Sequence, residues 1–248
     1  MNSFNPVERM AAEFATAFES FLSRPAVSRL VNGEISLDEY GSFLRQVFHQ
    51  TRENPQAQAH ATAYFRGSQR NSIRTFMKHA VSEINHDELA RRDLKGLGIP
   101  MSDLADQIPS EQPLPETSAL IAFAYYQMQF LDPIGYLGCV YFLEFMPTSI
   151  GPGAGVALDK IGVPQDCRSF IEDHVAIDVA HNKLMEGYLR DLIPTEKEFA
   201  PVAAAMRVMA RLYGTMIDAA FEAAQDEGLQ PLVERECSDV SRVAVGAA

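Results

Sequence analysis

Apolar residues recur along almost the whole chain with the three- and four-residue spacing of amphipathic helices. In residues 5–22, for example, Met10, Phe14, Phe18 and Phe21 fall on one stripe. No stretch shows the strict alternation of polar and apolar residues that indicates a β-strand, and no internal repeat is present. The pattern therefore predicts an all-α protein.

Local signals mark where these helices begin. Pro6 follows Asn5, a favourable pair for a first helical turn, and Ser36 with Glu39 forms a capping-box pattern. The periodicity predicts helices over approximately residues 5–22, 36–51, 69–97, 117–131, 133–146, 166–192 and 195–226.

Two segments between these helices lack the periodic pattern. Residues 99–118 are Pro-rich and are expected to form a loop, and residues 148–155 (TSIGPGAG) are expected to form a turn. We therefore expect a single-domain bundle of seven or eight helices over residues 1–240, followed by a frayed tail at 241–248.

Composition narrows the partners and the compartment. The formal net charge of −12 argues against nucleic acid and anionic membranes as partners. Cys139, Cys167 and Cys237 are an odd, widely spaced set, which favours a reducing compartment. No signal-peptide pattern is seen, and the most apolar segment, 135–147, is too short to span a bilayer. We expect a cytoplasmic protein.

One predicted helix carries polar residues where its core residues should lie. His174, Asp178 and His181 are spaced i, i+4 and i+7, within an arc of roughly 60°, on the side that Leu184 and Tyr188 mark as inward. A single buried histidine usually finds a backbone or side-chain partner. Three polar groups on one line would need three separate partners, whereas one metal ion would satisfy them all.

A second predicted helix, over 69–97, has a similar inward line. Glu83 and His86 have the E-x-x-H spacing by which helical bundles present a carboxylate and an imidazole to a di-iron centre. His79 lies on the same line one heptad before His86, so it is an alternative to Glu83 or a partner behind the ligands. Glu83 is preferred because carboxylates then equal imidazoles in number.

Glu144 is the third unusual residue, the one charge in an otherwise apolar helix. An unpaired buried carboxylate costs several kcal/mol, so it must meet an arginine or metal ions. A mixed set of imidazoles and carboxylates suits iron or manganese better than zinc. The predicted metal ligands are Glu83, His86, Glu144, His174, Asp178 and His181.

Three motifs in this order resemble those of the heme-oxygenase-like diiron oxidases. They are E-x-x-H-D-E-L-x-x-x-D-L-x-x-L-G (83–98), G-x-V-Y-F-L-E (138–144) and H-x-x-x-D-x-x-H (174–181). The resemblance implies a heme-oxygenase-like helical fold without haem and the same six ligands. Some family members place the carboxylate before His86 seven residues earlier, where this chain has His79.

The resemblance also implies a function. Two Fe(II) ions, or manganese in place of one, would activate O2 as co-substrate. The substrate would be a small carboxylate-bearing molecule, with an amino acid or derivative favoured over a fatty acid, and anchored by an arginine or lysine. N-oxygenation, oxidative C–C cleavage and decarboxylation, commonly within natural-product biosynthesis, are the reactions implied. A homodimer is expected.

Two other functions remain open. A metal-independent hydrolase of the thiaminase-II kind would use Cys139, although a buried apolar role is the commoner one for cysteine. A non-catalytic iron- or haem-binding protein would bind metal without turnover, and His49 is the haem-ligand candidate in that case. His60 is expected to be an ordinary helix or surface histidine. The chain has no second E-x-x-H at ferritin-like positions, which argues against iron storage.

Overall fold

The computed structural model describes residues 4–99 and 112–226, and these residues form nine α-helices and no β-strand. The all-α prediction is therefore confirmed. The predicted tail at 241–248 and most of the predicted loop lie outside the described residues. The helices are α1 (Pro6–Leu22), α2 (Pro25–Asn32), α3 (Leu37–Ala61), α4 (Ile73–Ser82), α5 (His86–Gly96), α6 (Pro115–Phe130), α7 (Tyr136–Ile161), α8 (Ser169–Leu192) and α9 (Glu196–Asp226).

The predicted capping residues act as expected. The Asn5 side chain accepts hydrogen bonds from the backbone at the start of α1. Ser36 and Glu39 form a reciprocal capping box at the start of α3. Arg29 of α2 also binds the Glu39 carboxylate, with nitrogen–oxygen distances of 2.8 and 2.9 Å. This ion pair joins two helices that are adjacent in sequence.

The structure has more helices than predicted for two reasons. The short helix α2 follows directly after α1, and the single helix predicted over 69–97 is broken between α4 and α5. At the break Asn85 has a φ of 76°, in the left-handed region. Asparagine tolerates this conformation better than most residues. No glycine or proline marks the break, so the sequence pattern did not indicate it.

The turn predicted at residues 148–155 is wrong, because α7 runs through this segment without interruption. Pro147 and Pro152 both lie inside the helix. The segment packs against α8, and Gly151 makes room for Val175, whose Cγ1 would lie 2.6 Å from a Cβ at this glycine. Tertiary packing here overrides the local turn signal.

Helix α7 is central to the bundle and packs against α8 and α9. Phe21, Phe142 and Tyr213 bring α1, α7 and α9 together, and the Phe21 and Phe142 rings meet edge to face at 5.4 Å. This packing fixes the face of α7 that carries Glu144. None of the helices in the described ranges is both long and apolar enough to cross a membrane.

Candidate metal centre

Seven polar side chains from four helices and the α4–α5 break meet inside the bundle. Six of them are buried, and the His174 side chain is 12% exposed. The carboxylate and imidazole groups are His79 from α4, Glu83 from the break, His86 from α5, Glu144 from α7, and His174, Asp178 and His181 from α8.

Four of these residues form a tight cluster. His79, Glu83, Glu144 and His181 each offer a donor atom within 4.8 Å of all the others. The His79 Nε2 lies 3.0 Å from Glu144 Oε1, and the His181 Nδ1 lies 3.1 Å from Glu144 Oε2. The same His181 nitrogen lies 3.1 Å from Glu83 Oε1. Two imidazoles and two carboxylates thus face a common point.

The other three residues, His86, His174 and Asp178, adjoin this cluster through contacts with Glu83 and His181. The second oxygen of Glu83 lies 3.3 Å from His86 Nδ1. The Asp178 Oδ1 lies 3.5 Å from His174 Nε2 and 3.6 Å from His181 Nδ1. Glu83 therefore has one oxygen in the cluster and the other directed at the adjoining group.

His79 was predicted as a ligand with lower rank than Glu83, and the structure brings both into one cluster. Of the six preferred residues, Glu83, Glu144 and His181 belong to the cluster, while His86, His174 and Asp178 adjoin it. The position of His79 on the inward line of its helix was the signal that pointed to it. Its lower rank rested only on balancing carboxylates against imidazoles.

Several of these buried atoms have no hydrogen-bond partner. They include Glu83 Oε1, both Asp178 oxygens and His86 Nδ1. Of these atoms, Glu83 Oε1, His86 Nδ1 and Asp178 Oδ1 lie 3.1–3.6 Å from complementary groups without forming a hydrogen bond. Unpaired buried polar groups are rare because each costs free energy. A mixed set of nitrogen and oxygen donors without hydrogen-bond partners fits divalent iron or manganese.

Ser82 orients the imidazole of His181. The Ser82 hydroxyl donates to the backbone oxygen of His79 at 2.7 Å, and its oxygen lies 3.2 Å from His181 Nε2. Because the hydroxyl hydrogen is already used, Ser82 accepts a hydrogen bond from the Nε2–H. In the neutral ring the lone pair is then on Nδ1, the nitrogen that faces the cluster. Such partners commonly fix the orientation of metal-binding histidines.

Burial and mutual contact shift the pKa values of these groups in opposite directions. Burial raises the pKa of Asp178 to about 8. Burial opposes protonation of His181, yet the adjacent Asp178 and Glu144 carboxylates raise its pKa to about 10. Burial also acts against the Glu144 charge, but His181 and His79 lower the pKa of that carboxyl to about 2. Without a metal, Asp178 and His181 are therefore protonated near neutral pH, and a metal would have to displace these protons.

Asp93 fixes the start of the helix that carries three of the candidate ligands. Its carboxylate is fully buried and accepts from the Phe170 backbone N–H at 2.7 Å and from the Ser169 hydroxyl. This interaction ties α5 to the first turn of α8. Asp93 lies one heptad after His86 in the sequence, and a buried aspartate at such a position needs hydrogen-bond partners.

The residues of the alternative functions do not belong to this cluster. Burial raises the pKa of the Cys139 thiol above its usual range, which disfavours the nucleophilic thiolate. Burial, together with the charges of Arg52 and Arg45, lowers the pKa of His49 to about 4. His60 is exposed on the surface, as expected.

Comparisons with known proteins agree with the fold. A family model described as an iron-containing redox enzyme matches residues 41–214. A domain of unknown function with a heme oxygenase-like fold from Shewanella denitrificans OS217 is similar, with a TM-score of 0.77 and 22% identity over 88% of this chain and 93% of that one. The search of curated proteins gave no match.

Two TenA homologues share the fold at lower identity. The one from P. horikoshii OT3 has a TM-score of 0.66 and 14% identity over 88% of this chain and 99% of that chain. The one from Pseudomonas syringae pv. tomato has a TM-score of 0.70 and 13% identity over 88% of this chain and 93% of that chain. The heme-oxygenase-like fold expected from the sequence is thereby confirmed.

Proposed function

The chain belongs to the iron-containing redox enzyme family, and on this premise we propose that it is a non-haem diiron oxidase or oxygenase. It would use O2 to oxidise a small carboxylate-bearing substrate. The observation that supports this proposal is the buried cluster of two imidazoles and two carboxylates, with three further donors beside it and several of its atoms unpaired.

Each group of residues would hold one metal ion. His79, Glu83, Glu144 and His181 would bind the first ion, and His86, His174 and Asp178 the second, with Glu83 between them. Manganese in place of one iron is compatible with the same donors. Bound iron would supply the electrons and the open coordination positions for reaction with O2.

The protein itself orients the donors and excludes water. Ser82 keeps the Nδ1 lone pair of His181 towards the cluster. The burial of all four cluster residues keeps bulk solvent away, which strengthens their electrostatic interactions. Oxidation next to a carboxylate would give N-oxygenation, C–C cleavage or decarboxylation, and we propose an amino acid or derivative from natural-product biosynthesis as the substrate.

A hydrolase that uses Cys139 is the second candidate. Cys139 lines a small pocket whose wall also includes the polar residues Tyr136 and Glu53. The raised pKa of the thiol argues against it. Hydrolysis of a thiamine analogue would test this candidate. Activity that persists in metal-free wild-type protein and is lost in a Cys139→Ser variant would favour the hydrolase over the diiron enzyme.

An anaerobic titration with ferrous iron tests the main proposal. We expect two irons per chain. When O2 is admitted, we expect a transient visible absorption that neither the anaerobic iron-loaded protein nor the metal-free protein with O2 shows. Glu144→Ala should remove at least one iron, whereas His60→Ala, at an exposed histidine outside the cluster, should retain both. Fewer than two irons in the wild type, or no spectral change with O2, would contradict the proposal.

A further inference from the structure

An apolar cavity of about 110 Å³ lies beside the candidate metal centre, bounded by side chains of several helices. Its wall is formed mostly by aliphatic and aromatic side chains such as Phe43, Leu158 and Ile217. Among the described residues, no aspartate, glutamate, lysine or arginine lines it. Of the seven candidate ligands, His174 alone belongs to the wall. The cavity therefore reaches the metal centre at this histidine.

The few amide groups in the wall are engaged with each other. The Gln50 Nε2 donates to Asn54 Oδ1 at 2.7 Å, so this pair offers little to a charged ligand. The size of the cavity limits what it can hold. An engineered apolar cavity of about 150 Å³ binds benzene, so this smaller one limits the apolar group that it encloses to about six carbon atoms at most.

We propose that this cavity receives the apolar body of the substrate, while the end to be oxidised lies at the metal centre beside His174. This inference rests on the proposed function, because it is the metal centre that defines the reacting end. It narrows the substrate class to small carboxylic acids or amino acids with an uncharged aliphatic or aromatic body. Substrates with a second charge at the far end, such as basic or acidic amino acids, are disfavoured, because among the described residues the wall has no side chain of opposite charge to pair with it.

Two ligands with the same six-carbon skeleton test the charge selectivity. Hexanoate and 6-aminohexanoate differ by a terminal ammonium group, and their binding can be measured by calorimetry to both iron-loaded anaerobic protein and metal-free protein. We expect the iron-loaded form to bind hexanoate at least about 100-fold more tightly than it binds 6-aminohexanoate, since an unpaired buried charge costs several kcal/mol. Equal affinities would overturn the proposal.

Variants on α7 test whether the cavity is the binding site. Ala154 lines it, and Ala154→Phe would place a benzene-sized ring inside. Hexanoate affinity should then fall at least about tenfold. Val156 is 62% exposed on the same helix and does not line the cavity, so Val156→Phe should leave the affinity unchanged. Equal effects of the two variants, or none in Ala154→Phe, would overturn the proposal.

A third variant enlarges the cavity and keeps the test valid if Ala154→Phe fails to fold. Ile150 lines the wall, and Ile150→Ala should shift the preference from hexanoate towards octanoate. An unchanged chain-length preference in a variant with a wild-type circular dichroism spectrum would count against the cavity. Iron content, measured in parallel, separates the two proposals. Iron binding without hexanoate selectivity refutes the cavity alone, whereas hexanoate selectivity without iron binding refutes the diiron function alone.

Discussion

Gly138 allows α7 to lie directly against α9, and its replacement by alanine tests how tightly these helices fix the site. A Cβ at this position would lie 2.7 Å from the Met206 nitrogen and 2.9 Å from the Val202 carbonyl carbon, and closer still to the Val202 oxygen. All three are backbone atoms of a long helix, so none can rotate away. The two helices would have to separate.

The expected magnitude follows from two opposing terms. Alanine is favoured over glycine in a helix interior by about 1 kcal/mol. Overpacking commonly costs about 1–3 kcal/mol and occasionally more, and the upper end applies here because backbone atoms are in the way. The Gly138→Ala variant should therefore lose about 2 kcal/mol of unfolding free energy. For a protein of this size that lowers Tm by about 4–8 °C.

Gly155→Ala is the matched control on the same helix. A Cβ there would meet nothing within 4 Å, so only the helix propensity remains. This variant should gain about 0.5–1 kcal/mol. Thermal and urea unfolding followed by circular dichroism would measure both variants. A Gly138→Ala protein as stable as the wild type would refute the reasoning about close packing, and the iron content should fall in this variant because α7 carries Glu144.

Three further measurements probe the groups around the metal centre. Ser82→Ala should weaken iron binding about 10- to 100-fold, because His181 loses the partner that orients it. The control Ser149→Ala, at an exposed serine, should leave iron binding unchanged. Equal effects of the two variants would contradict this role of Ser82. Asp93→Ala should cost about 1–3 kcal/mol in chemical denaturation, since the Phe170 N–H loses its acceptor; an unchanged midpoint would argue against the interaction. Metal affinity should rise as the pH is raised towards about 8, where Asp178 loses its proton, because protons on Asp178 and His181 compete with the metal. Calorimetry that shows no proton release on metal binding would contradict this competition.

The part of the site that lies on regular helix was predictable from the sequence. Helix α8 is unbroken, so the spacing of His174, Asp178 and His181 placed them on one face as expected. Glu144 was found because a lone charge in an apolar helix must meet a partner. These inferences need only helical geometry and the cost of burying charge.

Features that depend on tertiary contacts were not predictable in the same way. The break at Asn85 has no glycine or proline signal, and it decides how His79 and His86 are divided between the cluster and the adjoining group. The continuation of α7 through 148–155 depends on packing against α8. The cavity is bounded by residues far apart in sequence, so local periodicity carries no information about it.

The break between α4 and α5 also constrains how the gene for this protein can vary. Position 85 requires a left-handed backbone, which costs most residues about 1–2 kcal/mol and glycine almost nothing. Codons for asparagine, aspartate or glycine should therefore persist at this site among descendants that retain the metal centre, although the residue binds nothing. A valine or isoleucine would be strained in this conformation, and relief of the strain would change how α5, which carries His86, is placed relative to α4. Substitution at a residue outside the cluster is thus limited by the backbone conformation that the residue has to adopt.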